Sequence, residues 1–432
     1  MFMKERTTER NTVKRLPLTT VVLVLLFVGC NHASPETRYV SSSPPALVIR
    51  PINSPATGDS REPELTATPD GKIILSWVEK LGDKRHRLRA ALLDGRGWST
   101  PITVAEGDNW FVNWADFPSV IALNNGSLAA HWLVKRGTGT YAYNVNIALS
   151  KDGGKTWSKP IVPHWDNTQT EHGFVSLVPL NDGRLGAIWL DGRNMAGMKE
   201  SHDENKPLPT NMTLRYAAID GNGKISDEAQ LDERVCECCQ TSATVTSAGV
   251  VAVYRDRSPN EVRDIYCVRQ NGSGWLPPHP VYSDNWQING CPVNGPSIFA
   301  SGNNVAVAWF TGAGGTPHVN VAFSSDGGAT FGNPIQIDDG ETQGRVDVLL
   351  LPDKSALVCW LSGTPEGGEI KVRRVESNGV LGPPAVIAKT DISRSSGFPR
   401  TALVGNEVHF AWTEFGKPSR VRLAVADVSS YK

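Results

Sequence analysis

One pattern governs what this chain can become. A short apolar strand, a turn rich in Asn, Asp or Gly, and a second strand ending in an aromatic residue recur along it. The aromatic falls at Trp77, Trp132, Trp189, Tyr254, Trp309, Trp360 and Trp412, spacings of 55, 57, 65, 55, 51 and 52 residues. Each marker is followed by a loop, an alternating strand such as 145–149 or 319–323, a Gly-rich turn and a further strand such as 334–337. Four short strands per unit, with no amphipathic helical stretch of useful length, predict an all-β chain built as a β-propeller. Seven four-stranded blades are expected if every marker counts, six if one unit is degenerate. The seventh unit stops after three strands near Val428, and the β-prone stretch 46–50 can supply its fourth strand, closing the ring without an open edge.

Ahead of the repeat, Lys4, Arg6, Arg10, Lys14 and Arg15 precede an apolar run from Leu16 to Gly29. That run falls short of the roughly 18 to 20 residues a permanent membrane helix needs, so it reads as a cleaved secretory signal. Phe27-Val28-Gly29-Cys30 resembles a bacterial lipobox, which implies lipidation at Cys30; Asn31 after it points to the outer membrane. The organisation expected is a signal at 1–29, a tether with the ring-closing strand at 30–60, and a propeller at 61–432. The net charge of −1 gives no reason to expect nucleic acid, and contact with the membrane is expected only through the lipid anchor. Nothing in the sequence indicates an oligomeric state.

Two Gly-rich turns share a motif: Ser150-Lys-Asp-Gly-Gly-Lys-Thr-Trp157 and Ser324-Ser-Asp-Gly-Gly-Ala-Thr-Phe331, with a decayed version at Leu93 to Trp98. They resemble the Asp boxes of the sialidase superfamily. The resemblance implies a propeller of sialidase type and a glycoside hydrolase acting on acidic or complex glycans. Strand order places these boxes on the third-to-fourth turn of a blade, away from the face where the entrance and second-to-third loops gather. They therefore read as fold markers, and the working face must be sought among the other loops.

In the family, three arginines grip a carboxylate, a tyrosine polarised by a glutamate attacks, and an aspartate transfers the proton. Carried onto this sequence, the substrate-binding candidates are Arg61, Arg193, Arg257, Arg345 and Arg400, with Trp110 as a stacking platform. Asp83 or Asp116 would transfer the proton, and Glu171 or Glu261 would polarise the nucleophile. No tyrosine lies between Tyr282 and Tyr431, where the family's nucleophile belongs; Tyr141 and Tyr143 could reach the centre from the second blade. The competing reading is a non-catalytic propeller lipoprotein that binds glycan or protein partners.

Cys236, Cys238 and Cys239 open the fourth unit and Cys291 opens the fifth, so both entrances should meet on the working face. In an oxidising envelope disulfides between them are the first reading, and no metal is expected on it. A thiolate metal site, joined by His172, is the second. No phosphate loop or dinucleotide fingerprint occurs, and no cofactor is expected.

Overall fold

The structure is a computed structural model that describes residues 47–197, 211–272 and 274–431. Cys30, the signal segment and the His202, Asp203 and Glu204 part of the loop after Arg193 lie outside the described residues. Seven antiparallel sheets follow one another along the chain. All seven aromatic markers sit on the second strand of a sheet, for example Trp77 on Ile73–Lys80 and Trp309 on Asn304–Thr311. Six are buried and Trp412 is partly so. In two blades a carboxylate two residues past the marker shares its face and takes the indole N–H. Trp77 donates to Glu79 at 3.0 Å and Trp189 to Asp191 at 2.8 Å.

The ring is visible in which strands touch. The first strands of the sheets are Asp59–Ala67, Ser119–Ala122, His172–Pro179, Ser242–Thr246, Ser297–Ser301, Thr342–Leu350 and Arg400–Val404. Each packs on the next, and the last packs on the first. The buried apolar side chains divide into seven clusters, one at each junction between neighbouring blades, from the Trp132 cluster between the first two to the Trp77 cluster between the last and the first. Burial of that kind, Trp against β-branched and Leu side chains, typically costs about 3–5 kcal/mol to remove per Trp. The fold is thus held by repeated sheet-on-sheet contacts rather than by one central core.

The ring closes as expected, with a shift of a few residues. Arg50–Ile52 pairs antiparallel with Arg420–Asp427, so Pro51, rather than the 46–50 stretch alone, lies at the middle of the closing strand. The second blade is the least complete: three strands plus a bridge between Ile147 and Ile161 in place of a full fourth strand. The turns at Ser150 and Ser324 fold alike. In each, the Asp Oδ1 accepts the Ser Oγ–H at 2.8 and 2.7 Å and the Thr N–H at 2.9 Å, while the Asp Oδ2 accepts the Thr hydroxyl.

Candidate active site

At the mouth of the ring three inner strands carry bulges, between Arg61 and Glu64, Gly173 and Ser176, and Gly344 and Asp347. Each holds a non-glycine residue in the left-handed region: Glu62 at φ 54°, Phe174 at 52° and Arg345 at 54°. Such a conformation is uphill for an L side chain and persists only where the surroundings fix it. The fixing bond is the same in all three. The backbone N–H of the bulged residue donates to a side chain of the preceding blade: Glu62 to Thr413 Oγ1 at 3.1 Å, Phe174 to Asp116 Oδ1 at 2.8 Å, and Arg345 to Asn294 Oδ1 at 2.7 Å. Bulges thereby lock neighbouring blades together where their entrance loops meet.

Asp116 uses its other oxygen on a second partner. Tyr143 OH lies 3.0 Å from Asp116 Oδ2 and 2.7 Å from Glu171 Oε1. A phenol carries one hydrogen, so it can donate to only one of the two carboxyls; if both contacts are hydrogen bonds, the other carboxyl is itself protonated and donates to the phenol. Burial agrees with that count. It pushes Asp116 up to about 7 against the opposing bonds from Phe174 and Tyr143, and Glu171 up to about 8, with the charges of Asp116 and Glu237 adding to the rise. Burial, with the two carboxylates beside it, also drives the Tyr143 hydroxyl far above its ordinary value, so it stays a neutral phenol. Tyr143 is fully enclosed, its ring stacked on Phe111 with centroids 4.0 Å apart. Glu171 is the member open to solvent in part. Gly173 makes the approach possible: a Cβ there would lie 2.1 Å from Asp116 Oδ2 and 3.0 Å from the Tyr143 oxygen.

Of the expected proton-transfer and polarising residues, Asp116 and Glu171 are brought together and the others are not. Asp83 is exposed in the turn between Ile73–Lys80 and His86–Asp94. Glu261 is held by Arg257 at 2.8 Å and Arg263 at 2.9 Å, and those guanidinium groups bring its carboxyl below the ordinary value despite burial. Trp110 is a packing residue, buried with its ring stacked on Trp132 at 6.1 Å, and offers no face to a sugar.

Each guanidinium of the expected arginine grip has a partner within the protein. Arg61 pairs with Asp59 at 2.9 Å and Arg193 with Asp191 at 2.7 Å. Arg400 pairs with Glu64 at 2.8 Å. Buried Arg345 donates to the carbonyls of Ile392, Ser393 and Gly397 and stands over the Trp114 ring. Arg400 and Glu64, with Asp347, line a cavity of about 390 Å³ in the channel between the inner strands. On the mouth side Trp114 stacks on Phe398, and Phe117 packs against Phe398 at a tilt of 47°.

Sequence reasoning passed over Glu62, Glu64 and Glu237 at this mouth. Burial raises Glu62 to about 8 and Glu64 to about 7. Their signal was present: Glu62 and Glu64 flank Pro63 at the start of the first blade, as Asp116 and Phe117 precede Pro118 at the start of the second.

Two clusters gather metal-ligand side chains. His164 and His172 stack at 3.8 Å and both face Asp166 Oδ2, at 3.3 and 3.1 Å, but Arg193 Nη2 stands 3.5 Å from the same oxygen and supplies the positive charge there. Cys236, Cys238 and Cys239 form the other, with Sγ–Sγ distances of 3.7 Å for Cys236–Cys238 and 3.5 Å for Cys236–Cys239. All six described cysteines are free thiols, so the disulfides expected between these loops are not formed here. His172 does not join the cysteines; its ring nitrogens face Asp166 and the carbonyls of Tyr143 and Thr170.

No protein-family model matches the chain, and no curated protein does. Among solved structures it is similar to a protein of unknown function from Dyadobacter fermentans, at 15% identity and a TM-score of 0.50, covering 88% of this chain and 97% of the other. It is also similar to a leech intramolecular trans-sialidase, at 12% identity and a TM-score of 0.47, over 89% and 92% of the two chains. A third is the α-L-arabinanase of Penicillium chrysogenum, at 11% identity and 0.46, over 90% and 100%. At these identities what is shared is architecture, and the chain is a seven-bladed β-propeller in fold.

Proposed function

We propose that this protein is a glycoside hydrolase working at the loop-rich mouth, with Glu171 as the proton-transferring residue and Tyr143 and Asp116 as the relay behind it. The observation that carries this reading is the single phenol hydroxyl shared by two carboxyls of raised pKa. A carboxyl held protonated near neutral pH is the acid that departure of a glycosidic oxygen requires. When Glu171 gives its proton to the leaving oxygen, the Tyr143 proton moves to Glu171 and the Asp116 proton to Tyr143, leaving the charge on Asp116; the proton released by the attacking water returns through Glu171 and the same transfers run backward. Exposed Trp165, six residues before Glu171, and exposed Tyr141, edge-on to Phe111 at 6.2 Å, supply aromatic faces on the same loops for sugar rings.

The mouth is rich in carboxyls and its arginines are committed to partners, which favours a neutral or complex glycan over a sialic acid. The signal at 1–29 and the lipobox-like Cys30 support an exported, lipid-anchored protein acting at the cell envelope.

The test is release of fluorophore by the purified full-length protein from a panel of aryl glycosides spanning sialic acid, arabinose, galactose, glucose and N-acetylglucosamine. Turnover of at least one glycoside that Glu171→Gln abolishes is the expected result. Glycan binding without turnover would move the protein to the non-catalytic reading. Neither binding nor turnover across the panel would remove the glycan assignment.

A further inference from the structure

The Cys-Glu-Cys-Cys run at the entrance of the fourth blade is unused by the relay. Cys236 and Cys239 are buried, and the ligand atoms of Cys236, Cys238 and Cys239 all lie within 4.8 Å of one another. The exposed Cys291 approaches Cys238 from the entrance of the fifth blade without a direct sulfur–sulfur contact. We propose that Cys236, Cys238 and Cys239, with Cys291 as fourth ligand, form a thiolate site for a thiophilic d10 cation, zinc or copper(I).

Three observations carry this. The first is spacing: sulfurs bound tetrahedrally at about 2.3 Å stand about 3.8 Å apart, close to the 3.5 and 3.7 Å present here and far from a disulfide bond of about 2.05 Å. The second is charge. Buried Arg263 donates Nη1–H to Cys236 Sγ at 3.2 Å, a bond that suits a thiolate far better than a thiol, and Arg255 lies near Cys239. Glu237, between the ligands in sequence, turns its carboxylate to Arg257 and Arg263 instead of the sulfurs. The third is preorganisation. Gly295 packs its backbone on Gln240, where a Cβ would meet the carbonyl oxygen at 2.1 Å, and its N–H donates to the Gln240 side chain at 2.9 Å. Arg255 also donates twice to the Asn294 carbonyl, at 2.8 and 3.1 Å. The two cysteine-bearing loops are thus clamped before any ligand arrives. Soft sulfur donors select zinc and copper(I) over harder cations, and binding releases the thiol protons.

The experiment uses the full-length protein purified anaerobically and reduced, titrated separately with Zn²⁺ and with Cu⁺ against a chromophoric competitor, and with Co²⁺ as a spectroscopic probe. Expected are one equivalent of Zn²⁺ or Cu⁺ and intense thiolate-to-cobalt charge-transfer absorption in the unmodified protein. Cys239→Ser should weaken binding by at least 100-fold, and Cys291→Ser by about 10-fold because that ligand is exposed. The cobalt spectrum needs no variant, so a misfolded substitution leaves the test intact. Full reactivity of the thiols with no cation retained and no charge-transfer band would overturn the site. So would a disulfide among these four residues that survives in the native protein and blocks loading.

Discussion

Aspartates at the two ends of the blades behave in opposite ways. On the third-to-fourth turns, hydrogen bonds from Thr156 hold exposed Asp152 down at about 2, and at Asp326 slight burial is outweighed by the bonds from Thr330, again to about 2. At the mouth, burial drives Asp116 up to about 7 and Glu171 to about 8. Both sets of carboxyls are hydrogen-bonded. The difference is burial: the turn carboxyls stand open to water with donors from the same eight residues, whereas Asp116 and Glu171 meet around one phenol in an enclosed site. A carboxylate that keeps water and its donors is stabilised; one taken out of water is not, even where it accepts a hydrogen bond.

The largest test of this contrast is removal of the shared oxygen. Tyr143→Phe keeps the ring on Phe111 but separates the two carboxyls, and Glu171→Gln removes the outward acid. Each should lower kcat/KM on an active glycoside by about 10²–10⁴-fold, the range for loss of a positioned acid or base. Unaltered rates in Tyr143→Phe would reduce the phenol to a packing residue. The next effect comes from Gly173→Ala, whose methyl would enter the space between Asp116 and Tyr143. Overpacking there should cost about 1–3 kcal/mol in denaturant unfolding and reduce turnover, while a methyl accommodated at no cost would show the relay to be loosely held.

The same contrast explains how much could be read from the sequence. The markers Trp77 to Trp412 recur on one strand of each blade, and the Ser-x-Asp turns are bonded between residues two to four apart, so local pattern reveals them. Asp116 and Glu171 stood out as charged residues in entrance loops. Their convergence on Tyr143 depends on contacts 27 and 28 residues apart, and the bond that fixes Asp116 comes from Phe174, 58 residues away. Such partners are set by blade-to-blade packing, which residue spacing does not encode. For the same reason the arginines read from sequence as free to grip a ligand, although Arg400 had Glu64 waiting on a strand 336 residues distant.

Smaller effects follow from pH. Glu62, Asp116 and Glu171 have folded-state values above their unfolded ones, so the native state holds their protons more tightly. Their favourable contribution is present below about pH 4 and is lost as pH rises through about 7 to 8. Thermal unfolding midpoints should therefore fall by several degrees between pH 6 and pH 9, and Glu171→Gln should flatten that fall. The alkaline limb of activity should run the same way, with kcat/KM declining above about pH 8 as Glu171 ionises.

The smallest effect belongs to the turns, where the sign reverses. Asp326 has a folded-state value below its unfolded one, so its contribution is present above about pH 4 and disappears as pH falls through about 2. Asp326→Ala removes the acceptor for Ser324 Oγ, Thr330 Oγ1 and the N–H groups of Ala329 and Thr330. The Ala329 and Thr330 donors are near water, which replaces most of what is lost, and only the buried Ser324 hydroxyl loses its acceptor outright, so the midpoint at pH 7 should drop by no more than about 2 °C and glycoside turnover should be unchanged. Below pH 3 the variant and the parent should converge, because the parent's carboxylate is by then being protonated. A drop as large as that of Gly173→Ala would mean that the turn supports the adjoining blade junction, and the division between a self-contained turn and a packing-dependent mouth would have to be redrawn.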